Sequence, residues 1–150
     1  MKLRSLLYLL IFPAWEFLLM ILLPPEYYVG ASCLQTHPYP ICSFHFSPSA
    51  TFVLLVIAPF LISIILGLWK EWSELVAFGV PSLALVLIAV ILLYLFDGSL
   101  ISFLVPATVS VVLYSLPRIK RAERPIWIAT SLIVLFILCT MVWSGTSVSV

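Results

Sequence analysis

Residues 50–74 read ATFVLLVIAPFLISIILGLWKEWSE. Residues 50–69 carry no charged side chain, and roughly 20 apolar residues in α-helical form are what it takes to cross a hydrocarbon layer about 30 Å thick. The break that follows, Lys70 to Glu74, holds only a tight link, and an apolar run of the same kind resumes at Leu75. Two helices joined so closely pack antiparallel. The stretch therefore reads as a helical hairpin in a membrane.

Outward from it the pattern recurs. Continuous apolar runs occupy 5–23, 50–69, 75–96, 100–116 and 125–143, each bounded by charge, proline or a turn signal. Strands of a membrane β-barrel would be shorter and would alternate in polarity. The expected fold is an all-α integral membrane protein, a single domain over 1–150 with five transmembrane helices. Short links predict an up-down bundle of helices two to five, with helix one free to pack on either side because its link, 24–49, is long. Composition agrees: 64% of residues are hydrophobic and 9% charged, against about a quarter charged in soluble domains.

Charge sets the expected orientation. All seven basic residues fall on one side if the amino terminus is cytoplasmic: Lys2 and Arg4, Lys70, then Arg118, Lys120, Arg121 and Arg124. The positive-inside rule then predicts an inner amino terminus, with an outer carboxyl terminus and an outer 24–49 loop. A signal peptide is the alternative for the first run, with Val29 and Ala31 spaced for cleavage before Ser32. The length of the run and Glu16 inside it favour an uncleaved helix. A net charge of +1 gives no field to recruit nucleic acid. The partners expected are the lipid bilayer and other integral membrane proteins, or further copies of the chain. Trp69, Trp72, Trp127, Trp143, Tyr27 and Tyr28 all fall near the ends of the runs and read as interfacial anchors.

Four runs carry a proline near the middle: Pro13, Pro59, Pro81 and Pro106. Each removes a backbone donor and leaves a carbonyl that a neighbouring helix, hydroxyl or water must satisfy. Ser102, Pro106 and Ser110 share one face at intervals of four, and Ser63 with Gly67 forms a small-xxx-small pair. Such faces let helix backbones approach closely and supply interhelical hydrogen bonds. They read as packing seams, and as the wall of a polar path in a transporting protein.

Glu16 is the one ionisable residue well inside a predicted span. A charged side chain at the centre of a membrane helix costs about 2.5 to 3.5 kcal/mol on insertion scales, so an acid there faces a bundle interior and marks function. It is the candidate intramembrane site for a proton or cation. Asp97 begins a tight turn and is expected to cap helix four.

The outer loop holds Cys33, His37, Cys42 and His45, four residues of types that bind zinc or copper. Their spacing matches no common zinc framework, and the CxxC dithiol of thiol-oxidising membrane enzymes is missing. An outer loop lies in an oxidising compartment. A Cys33–Cys42 disulfide is the simpler expectation, and a metal site using all four the lesser one. Cys139 reads as a free packing residue. Nucleotide-binding, metalloprotease, hydrolase and calcium motifs are missing, and no span carries a histidine to ligate haem. No cofactor and no catalytic residue are expected. The functions that follow are, in order, a non-catalytic subunit or assembly component of a membrane complex, a small transporter or channel using Glu16, and a redox or metal protein of the outer face.

Overall fold

The structure is a computed structural model and describes residues 3–116, 121 and 123–146. Lys2, Arg118 and Lys120, which enter the charge argument, lie outside the described residues, as do the side chain of Arg4 and the tail from Ser147.

Among the described residues five α-helices form: α1 (Leu3–Leu22), α2 (Ala50–Trp69), α3 (Ser73–Phe96), α4 (Ile101–Ser115) and α5 (Arg124–Thr146). Of these α2, α3 and α5 are long and apolar enough to cross a membrane. At 15 residues α4 is the shortest, about 22 Å along its axis. Large apolar side chains such as Ile11, Ile62, Ile91 and Leu104 point outward from the bundle, the surface expected of helices surrounded by lipid.

The expectation of an all-α chain needs correction at 24–49. Pro24 and Pro25 end α1, a 3-10 turn follows at Pro25–Tyr27, and the link then forms a two-stranded antiparallel sheet, β1 (Val29–Leu34) with β2 (Ile41–Phe46). Pairing Val29 with Phe46 fixes the register, and with it Cys33 stands opposite Cys42. The two are joined as a disulfide. Ser32 and Ser43 form a cross-strand hydroxyl bond of 2.7 Å. Prolines 38 and 40 fall in the tip, where no ladder donor is needed.

Helix ends follow local chemistry. Ser49 caps α2 by accepting from the Phe52 amide at 3.1 Å, as a serine at that position should. Asp97 does not cap α4: it sits in left-handed backbone (φ 47°) at the end of α3, and Gly98 (φ 77°) reaches back to the Leu93 carbonyl. That closing bond is the Schellman pattern of a helix C-terminus. Leu100 occupies the α4 N-cap without a side-chain bond.

The helices close into a ring. Successive helices from α2 to α5 pack side by side, α1 fills the gap by packing mainly on α5 and less on α2, and α3 meets α5 across the centre. The α2–α3 seam is tight: a Cβ on Gly79 would stand 2.5 Å from Ser63 Oγ, and one on Gly67 would stand 2.7 Å from Val76 Cγ2. Ser63 and Gly67 thus lie in a helix contact. So do Ser102, Pro106 and Ser110, which with Tyr114 make up the buried face of α4.

Candidate functional site

The interior is built in layers. Across the middle of α1 and α2 and toward the ends of α3, α4 and α5 away from the hairpin, each helix contributes one ring: Phe12 from α1, Phe60 from α2, Phe78 from α3, Tyr114 from α4 and Trp127 from α5. Phe12 stacks on Phe60 at 5.1 Å and meets Phe78 at 4.9 Å. Phe78 lies 6.0 Å from Trp127 and 6.4 Å from Tyr114, and Trp127 meets Tyr114 edge-on at 6.0 Å. Offset and edge-to-face pairs of this kind add about 0.5 to 1.5 kcal/mol each beyond the area they bury.

At the hairpin end a smaller layer closes the bundle. Tyr28 and Phe46 pack against Phe52 with centroids 5.4 and 6.3 Å away, and all three are buried. Tyr28 and Trp127 are therefore core residues, not the interfacial anchors that their places in the sequence suggest. Burial pushes the Tyr28 phenol above its ordinary pKa, and a hydrogen bond with the Ser144 side chain offsets part of that. Trp143 donates its indole N–H to the Gly98 carbonyl, tying α5 to the α3–α4 turn. Trp69 and Trp72 remain exposed, with the Lys70 ammonium 4.4 Å over the Trp69 ring.

Glu16 lies between the two layers. It shares the inward stripe of α1 with Phe12 and Leu19 and is fully buried. Neither carboxyl oxygen has a hydrogen-bond partner among the described residues. Its level follows from its neighbours. The Trp15 indole donates to the Leu55 carbonyl at 2.9 Å, which places Glu16 beside Val56, halfway between Phe52 and Phe60. Phe12 faces Phe78 on α3, and Ser82 follows one turn beyond Phe78. The Ser82 hydroxyl is bonded to Tyr114 at 2.7 Å.

The bond from Trp15 answers one of the prolines. Pro59 cannot donate to the carbonyl four residues back, which is Leu55, and an indole from α1 takes the place of the missing amide. The need for a donor is legible in the proline itself; the donor, on a helix distant in sequence, is not. Ser110 pairs with Ser131 across α4 and α5 at 2.6 Å, while the buried hydroxyls of Ser63 and Thr130 donate to carbonyls of their own helices. The hydroxyls of Ser99 and Ser102 and the indole nitrogen of Trp127 are buried without partners among the described residues.

The cysteines and histidines of the 24–49 link do not converge. Alternation along β1 and β2 puts Cys33 and Cys42 on one face of the hairpin with Ala31 and Phe44, while His45, opposite Gly30, belongs to the other. His37 is in the tip. With the two sulfurs bonded to each other, neither is a thiolate ligand, and no group of three or more His, Cys, Asp or Glu among the described residues is placed to hold a metal. The hairpin instead presents apolar side chains: Leu34, Tyr39 and Ile41 are 73, 78 and 66% exposed. Beside them is an open hollow of about 370 Å³ lined by Gln35, Thr36, His37, Pro38 and Pro40. No protein-family model, curated protein or solved structure matches the chain.

Proposed function

We propose that the chain is a five-span membrane component, amino terminus inside and hairpin outside, that works by packing against other integral membrane proteins or a second copy of itself. The observation that carries this reading is the hairpin: a disulfide-closed arm with no Asp, Glu, Lys or Arg from residue 27 to 49 and an apolar tip. Strand edges left to water are usually guarded by charge, and contiguous exposed apolar side chains mark contact surfaces. The aromatic layers support the same reading, because they fill the interior where a conduit would run. The distribution of basic residues supports the orientation, and α1, with α4 and its flanking apolar residues, completes the five spans. The test is the mass of the detergent-extracted complex by light scattering. It should exceed that of the 16.8 kDa chain and fall to it when Leu34 and Ile41 are both replaced by serine. A wild-type protein that runs as a lone monomer ends the proposal.

A second reading is favoured by one observation, the buried unpartnered carboxyl of Glu16. In it the chain is a small transporter coupled to a proton or cation at that residue. Ion flux into reconstituted vesicles, abolished by Glu16→Gln, is its measure; equal flux in both proteins, or none in either, removes it.

A further inference from the structure

We propose that Glu16 is a proton-binding site closed between two aromatic layers, whose proton exchanges with water through the three-ring layer at the hairpin end. This deepens the second reading by naming the ligand and the side of access, but it concerns exchange alone and holds for a protein that carries no flux.

The ligand follows from the donors. A hard cation such as calcium or magnesium takes about six or more oxygen ligands, waters included. Glu16 shares the inward stripe of α1 with the apolar Phe12 and Leu19, and the interior hydroxyls of Ser82, Ser110 and Ser131 are engaged by Tyr114 or by one another. A proton needs a single oxygen, which the carboxyl itself supplies. Helix α2 brings no ionisable side chain toward Glu16. Helix α5 has Cys139 buried along its length and Arg124 at its far end. Tyr28 and Tyr114 belong to the layers above and below. No described side chain bonds to either Glu16 oxygen.

The side of access follows from how each layer is held. The far layer takes one ring from each of five helices, and opening it requires helices to separate. In the hairpin layer only Phe52 stands on a helix; Tyr28 follows the 3-10 turn, and Phe46 ends a strand whose other residues are largely exposed. Local opening is least costly where few apolar contacts hold a segment. When this layer opens, a water takes the carboxyl proton and the carboxylate regains one from the same water, so charge and atoms balance.

Infrared spectroscopy of the full chain in lipid nanodiscs reads this directly. At neutral pH the wild type should show the carbonyl stretch of a protonated carboxyl, lost in Glu16→Gln and kept in Glu16→Asp, and the band should shift on transfer to D2O. Phe46→Ala should speed that shift by about tenfold or more, and Phe60→Ala should leave it within about twofold, as local opening at one layer demands. The proposal is overturned if the band is missing, if it does not shift, or if the two alanine variants change the rate equally or not at all. Vesicle flux is a separate measurement, so the site and the transport reading can fail independently.

Discussion

Trp15 and Pro59 form a pair that neither residue would reveal alone. A buried carbonyl left without a donor costs about 1–3 kcal/mol, and Trp15→Phe should destabilise the protein by that order. In a Pro59→Ala background the alanine amide can bond the Leu55 carbonyl, so the same change should cost much less. A double-mutant cycle on unfolding in mixed micelles measures the difference. Glu16 is the opposite case, a polar group with nothing to lose. Glu16→Leu should raise stability by about 1–3 kcal/mol, since burying a polar group without a partner is unfavourable; a fall of similar size would mean that its carboxyl is bonded after all. What the sequence disclosed at this scale was need: a proline needs a donor elsewhere, and an acid in a span needs an interior. It did not disclose the supplier. That depends on which helices become neighbours, and the link from α1 to α2 leaves this open.

Among the elements, α2 was the most legible, because an uncharged run between Ser49 and Lys70 has definite ends. The hairpin was the least. Its strands, VGASCL and ICSFHF, hold few β-branched residues, and the interleaved cysteines, histidines and prolines point to a disulfide-closed loop, with no signal for strands on either side of it. The alternation that defines it becomes visible only once Cys33 is set opposite Cys42. Asp97 misled for a related reason: Asp-Gly is a turn signal in either direction, and here it closes α3 instead of opening α4. Replacing both Cys33 and Cys42 by serine should loosen the hairpin by roughly 2.5–3 kcal/mol on the chain-entropy estimate. Hydrogen exchange should rise within residues 30–45 and stay low in α2, because Phe46 and Tyr28 anchor the hairpin base independently of the disulfide. At the α2–α3 seam, Gly79→Val should disrupt the helix contact, with Ser63→Gly recovering part of the loss by removing the hydroxyl 2.5 Å from the new Cβ.

For the whole molecule, composition and charge gave the membrane setting and the count of helices, and short links gave most of the neighbours. The position of α1 was not readable. It closes the ring through Phe12, Trp15 and Met20, whose sulfur accepts from Thr140 at 3.8 Å, contacts between parts of the chain far apart in sequence. The proposed orientation predicts that, in sealed right-side-out vesicles, a membrane-impermeant maleimide labels Asp97→Cys directly and Glu71→Cys only after permeabilisation. Labelling of both from outside would reverse or break the topology.

In the proposed five-span arrangement the brevity of α4 has a consequence for where such a molecule resides. A helix of about 22 Å beside partners of 20 or more residues is shorter than a hydrocarbon core of about 30 Å, and lipids relieve such a mismatch by thinning locally or by favouring thinner bilayers. The thinned sector would lie on one side of the ring only, along the outer surface of α4. Reconstituted into phosphatidylcholines of graded chain length, the protein should be most resistant to unfolding in a bilayer thinner than its longest helices alone would select. A membrane that thickens with sterol would then press on this one helix first.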